Sequence, residues 1–238
     1  MEFRERPILI TGAARSGTSM IAGLIHHHGV FGGSVKTKNI RGDINNPKPE
    51  SAGAMYENLF IRNNIVKKTL REMNLDPKCQ NPLPDPEDFK LFSENSIISF
   101  RSLLYRVLRE QGYKNDMLWY YKGAKCCLMW PWWHRAFPAA KWIIVRRRTE
   151  DIVNSCLHTH FMNGYKTAEG WEGWVDTHIE RFLEMGGAGL DIQYIWPHKI
   201  IGNDFSEIKK IVTSFGLKWD EELARDFIEP ALWGGKKI

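Results

Sequence analysis

Pro7-Ile8-Leu9-Ile10-Thr11-Gly12-Ala13-Ala14-Arg15-Ser16-Gly17-Thr18-Ser19 is the first readable unit of the chain and settles its class. A short apolar run closed at once by glycine reads as a buried parallel strand. Beyond it, Met20, Ile21, Leu24 and Ile25 recur at helical spacing, and Gly29 suits the end of that helix. The opening is therefore strand, loop, helix.

Working outward, the same alternation continues. Leu59 to Met73 and Ile97 to Leu108 read as helices, Trp119 to Lys125 as a strand and its exit, and Trp130 to Phe137 as a short helix. Lys141 to Arg146 has the apolar, β-branched character of a central strand, followed by a helix over Glu150 to Leu157. Trp171 to Met185 reads as a helix, Lys199 to Gly202 as a last short strand, and Phe205 to Phe215 as a helix. Strands alternating with helices predict a three-layer α/β/α domain around a central parallel sheet, spanning residues 1–238 as one unit. The Gly- and Asn-rich stretch 32–54 and the region 77–95, with Pro77, Pro82, Pro84 and Pro86, read as loops over the strand ends, where specificity is commonly built.

Composition narrows the function classes. With 43% hydrophobic and 26% charged residues, the 238-residue chain is an ordinary globular protein, not a disordered one. Its longest apolar runs, such as Ile143-Ile144-Val145, are far shorter than the ~18 residues of a membrane span. The N-terminal residues show no signal-peptide pattern, so a cytoplasmic protein without membrane partners is expected. Cys79, Cys126, Cys127 and Cys156 lack metal-type spacing, and reduced thiols are the expectation, with adjacent Cys126 and Cys127 pointing oppositely on a strand. His26-His27-His28 cannot converge on a metal from consecutive helical positions about 100° apart, so no metal is expected. The charge of +5 calls for an anionic partner.

Gly12 and Gly17 are separated by four residues, the P-loop spacing, in which backbone N–H groups and a helix N-terminus surround a phosphate. The nucleotide-triphosphatase version places Lys and then Ser or Thr after the second glycine. Here Thr18 and Ser19 hold those positions and the cation sits within the loop as Arg15. A kinase using ATP and Mg²⁺ is thereby disfavoured but stays open. An ordinary capped turn is the structural alternative.

The segment Arg15-Ser16-Gly17-Thr18-Ser19 resembles the 5′-phosphosulfate loop of the sulfotransferases that use 3′-phosphoadenylyl sulfate (PAPS). The family's second signature is a strand ending in Arg, with Asp four and Ser eight positions on; Arg147, Asp151 and Ser155 have that spacing. Weaker likenesses run through Gly53 to Asn58, through Lys122-Gly123-Ala124-Lys125 ahead of Trp133 and Phe137-Pro138, and through Asn203-Asp204-Phe205.

The resemblance implies a P-loop-like sulfotransferase fold, PAPS as co-substrate and no metal. It assigns the 5′-phosphosulfate to Gly12, Ala14, Arg15, Ser16, Gly17, Thr18 and Ser19, and the 3′-phosphate to Arg147 and Ser155, with Asp151 orienting Arg147. Arg15 is expected at the leaving group, Lys122 at the sulfuryl oxygens and Glu57 as base. Ala124 stands where the cytosolic branch has its histidine base, so Glu50 and the histidines His158 and His160 remain alternatives. Met20, in place of a stacking Trp, loosens the expected hold on adenine. A relative that binds nucleotide without turnover also stays open, as does the acceptor, a hydroxyl or an amine. Nucleic acid is not expected as a partner, because Trp130, Trp132, Trp133 and Trp142 read as core and no basic and aromatic groove is evident.

Overall fold

The computed structural model describes residues 6–37, 55–228 and 230. Glu50, most of the stretch 32–54 and the C-terminal residues 231–238 lie outside them.

Four parallel strands form one sheet in the order β2-β1-β3-β4: β1 Ile8–Thr11, β2 Tyr120–Lys122, β3 Lys141–Val145 and β4 Asp191–Ile195. β1 is buried along its whole length, and β3 from Trp142 onward, because both their faces are covered. Leu9, Tyr121, Trp142 and Ile144 face a layer built from α4 (Glu94–Glu110), α5 (Trp130–Ala136) and α7 (Ala168–Gly187). Ile8, Ile10, Tyr120, Ile143 and Val145 face α1 (Thr18–His27), α9 (Ser206–Ser214) and α10 (Glu221–Phe227). Alternate residues of each strand thus feed opposite cores, which gives the expected three layers.

Trp130, Trp132, Trp133 and Trp142 belong to the first core, as expected. Trp132 stacks on Phe100 at 3.8 Å and Trp133 on Tyr121 at 5.0 Å between ring centres. His26, His27 and His28 are likewise structural. His27 pairs through Nε2 with the Tyr56 hydroxyl at 2.8 Å, and His28 stacks on Trp219 while its Nε2 accepts from the Asp220 N–H. All four cysteines are buried and free, and Cys126 and Cys127 lie in a turn after β2 instead of on a strand.

Elsewhere the helices follow the sequence closely, with one correction at the C-terminal end. Lys199 to Gly202 is not a strand: Pro197 opens a short helix, α8 (Pro197–Ile201), whose first turn needs no N–H from proline. The fourth strand is β4, hidden in the sequence by its edge position. Its residues Asp191 and Tyr194 are exposed, and Asp191 pairs across the register with Lys141 at 2.8 Å. The helix after residue 59 also has unexpected geometry, beginning as a π-helical segment, Ile61–Val66, before continuing as α2 (Lys67–Glu72). The proline-rich connection ends in another helix, α3 (Pro86–Lys90), capped by Asp85.

Candidate active site

Parallel strands deliver their functional residues at one end, beyond their C-termini. β1 runs into the loop Gly12 to Gly17, β2 ends at Lys122, and β3 leads into Arg146 to Arg148 and α6 (Thr149–Leu157). Thr11 locks the first two ends together, donating its hydroxyl to the Gly123 carbonyl at 3.0 Å and accepting from the Cys127 N–H at 3.1 Å.

The loop has the backbone an anion site needs. A Cβ on Gly12 would lie 2.5 Å from the Val145 carbonyl oxygen, so only glycine fits there. Arg15 and Gly17 take positive φ values of 73° and 97°, which turn the chain tightly into α1. Gly17 caps α1 without a side chain, so no side-chain oxygen covers the first-turn N–H groups of this ten-residue helix. The Ser16 hydroxyl is buried with no hydrogen-bond partner, an orphan that a phosphate or sulfate oxygen would satisfy. These features fit a phosphate or sulfate group.

The second motif is joined to the first. Arg147 donates to the Arg15 carbonyl at 2.9 Å, and Arg15 Nε donates to the Ser155 hydroxyl at 2.9 Å. Asp151 lies 3.1 Å from Arg148 Nε and 3.9 Å from Arg147 Nε, so it holds Arg148 more closely than the arginine it was expected to orient. Burial, followed by its cationic neighbours Arg15 and Arg148, disfavours the charge on Arg147, while Asp151 supports it. An anion placed there would relieve that cost.

A cavity of about 460 Å³ opens beside the loop. Ala14, Arg15, Thr18 and Ser19 line it together with Glu57 and Lys122. Glu57 is buried, its Oε2 lying 3.6 Å from Lys122 Nζ and 3.4 Å from Arg62. Burial lowers the Lys122 pKa and the Glu57 carboxylate opposes that shift. The three residues expected to act on the reacting groups, Arg15, Lys122 and Glu57, thus share one cavity. His158 and His160 do not line it, and His158 bonds through Nδ1 to the Asn154 carbonyl on its own helix. Met20 packs toward the Ile8 and Ile10 core.

Residues 7–221 match the family model described as "Sulfotransferase family". The chain belongs to that family. Among solved structures, this sulfotransferase-family chain is similar to sulfotransferase STF9 from Mycobacterium avium, with 14% identity, a TM-score of 0.60 and coverage of 98% of this chain and 69% of that one. It is also similar to the sulfotransferase domain of the Synechococcus PCC 7002 olefin synthase, with 16% identity, a TM-score of 0.55 and coverage of 96% and 81%. At such identities the likeness concerns the fold. No curated protein sequence matches it.

Several cavity residues of the sulfotransferase-family chain escaped the sequence reading. Arg62 and Lys67 come from the π-helical segment and α2, Lys78 and Gln80 from the proline-rich connection, and Trp174 and His178 from α7. Gln80 ties the wall together, its Oε1 accepting from the Asn163 and Gly164 N–H groups and its Nε2 donating to the Phe161 carbonyl. Such convergence of distant segments leaves no local pattern. The basic run Arg62, Lys67, Lys68, Arg71 was the one available hint.

His178 is buried, and its Nδ1 bonds to the Trp174 carbonyl at 2.8 Å, which fixes the tautomer with the lone pair on Nε2. Burial lowers its pKa from 6.5 to about 4. The unfolded chain therefore binds the extra proton between those values, so this contribution to stability is complete above pH 6.5 and is lost as pH falls toward 4. We expect a loss of about 2–3 kcal/mol by pH 4.5. Urea unfolding of wild type and His178→Gln at pH 7 and pH 4.5 checks it; equal acid losses in both would contradict the assignment.

Among the described residues, no group of three or more His, Cys, Asp or Glu side chains comes together to hold a metal, and no helix is long and apolar enough to cross a membrane.

Proposed function

We propose that this family member transfers the sulfuryl group of PAPS to a hydroxyl or amine. The observation that carries the reading is the hydrogen-bonded junction of the two segments proposed to bind the anions. The loop ending at α1 and the Arg147–Ser155 pair are linked through Arg15. This suits a ligand with phosphates at both its 5′ and 3′ ends.

Each residue then has a physical task. The first-turn N–H groups of α1, Ser16 and Thr18 hold the phosphosulfate, and Arg147 with Ser155 holds the 3′-phosphate. Arg15 Nε donates to the Ser155 hydroxyl, which sets both groups side by side for the nucleotide. In the transfer, a bond forms between acceptor oxygen or nitrogen and sulfur. The bond from sulfur to the bridging phosphate oxygen breaks, and its electron pair stays on that oxygen. Arg15 stabilises this growing charge and Lys122 the sulfuryl oxygens. The acceptor proton passes to Glu57, whose carboxylate Lys122 and Arg62 hold in place. His178 supplies a second lone pair on the cavity wall. The buried free thiols suit a reducing compartment such as the cytoplasm.

Incubation with PAPS carrying radiolabelled sulfur, across a panel of alcohols, amines and glycans, tests the reading. Labelled product is expected. Tight PAP binding without any transfer would instead mark a nucleotide-binding relative, and Mg²⁺-dependent ATP binding would restore the kinase.

A further inference from the structure

The cavity holds more positive charge than the donor can use. Six cationic side chains line it, Arg15, Arg62, Lys67, Lys78, Lys122 and Lys125, against one carboxylate among the described lining residues, Glu57. Glu57 is engaged by Lys122 and Arg62. Arg147 and Ser155, which would receive the 3′-phosphate, are not lining residues, so the cavity itself faces only the phosphosulfate, with about two negative charges to set against a net five positive.

Three of the cations form no ion pair among the described residues. Among the described residues no carboxylate pairs with Lys67, Lys78 or Lys125. Lys78 reaches only the neutral Asn163 amide, at 3.0 Å. Asp76 lies close in sequence, but its carboxylate accepts from the backbone N–H groups of Lys78, Gln80 and Asn81 and is consumed by its own turn. Lys67 shows the crowding: burial lowers its pKa first, and Lys125, Arg62 and Arg71 lower it further, opposed by the Glu57 carboxylate. Like charges in a half-enclosed cavity repel strongly, and a ligand of opposite sign gains what they lose.

Resting on the PAPS-dependent reading, we propose that the acceptor is itself an anion, bearing a carboxylate, phosphate or sulfate beside its reacting hydroxyl or amine, received by Lys67, Lys78 and Lys125. These lysines belong to α2, the proline-rich connection and the turn after β2, and they line the same cavity as Arg15, Lys122 and Glu57.

Matched acceptors test this with the full chain: butanol against 4-hydroxybutyrate, glucose against glucuronate, and glycerol against glycerol 3-phosphate. The anionic member is expected to show a kcat/KM at least about tenfold higher, and to bind the PAP-saturated protein calorimetrically where its neutral partner does not. Lys67→Gln with Lys78→Gln should lower that binding and that preference about tenfold while leaving the affinity for PAP within about twofold. Neutral members accepted equally well, no anionic member bound or sulfated by a protein that binds PAP, or a preference unchanged in the double variant would each overturn the inference. A protein that fails to bind PAP overturns the donor reading instead.

Discussion

Lys122→Met is expected to lower sulfuryl transfer by about a hundred- to a thousandfold, with PAP affinity changed less than about tenfold. The amine is buried at the end of β2, inside the cavity and 3.6 Å from Glu57. A cation so placed is held by the fold and needs no rearrangement when charge develops on the sulfuryl oxygens. Methionine keeps most of the stem volume and removes the charge, so packing is spared. The variant also leaves Glu57 with Arg62 alone, and removing one partner of a buried pair costs about 3–5 kcal/mol in typical cases. The double variant Lys122→Met with Glu57→Gln removes both charges and should recover much of that stability without recovering transfer. Turnover of labelled PAPS, to the acceptor found by the panel or to water, reads the effect. Transfer within threefold of wild type would remove Lys122 from the reaction.

The second large effect is on binding. Arg147→Ala is expected to weaken PAP binding roughly 30- to 100-fold, the worth of charged hydrogen bonds to a phosphate. Arg147 is well prepared for the task, since the Arg15 carbonyl fixes its guanidinium from one side and Asp151 supports its charge. Arg147→Lys keeps the charge but loses the planar donor set and should fall between the two. Ser155→Ala should cost less, about five- to tenfold, because it removes one neutral hydroxyl. A Kd for Arg147→Ala within threefold of wild type would separate the second motif from the nucleotide.

The two motifs were readable because each is local. Strand, glycine loop and helix follow one another from Pro7 to Ile25, and Arg147, Asp151 and Ser155 ride on one strand end and the helix behind it. Apolar runs likewise announced β1 and β3. β4 was missed for the opposite reason: an edge strand with Asp191 and Tyr194 exposed has no buried run to show, whereas Ile200 and Ile201 look strand-like until Pro197 is weighed as a helix start. Glu57 was reached through the family likeness and proves to share its cavity with Lys122, an arrangement no spacing could show across the intervening chain. Lys67, Lys78, Gln80 and His178 depend wholly on which segments pack around the strand ends. The charge of +5 implied an anion from the outset, and the structure concentrates six of the cations around one cavity.

Calorimetric titration of the full chain with 3′-phosphoadenosine 5′-phosphate is the most direct test of a PAPS-dependent enzyme. It requires neither the acceptor nor the base to be known. Binding at one site with a Kd of about 10 μM or tighter, and much weaker binding of ATP with Mg²⁺, is the predicted result. Absence of heat at millimolar nucleotide, with the protein folded, would contradict it.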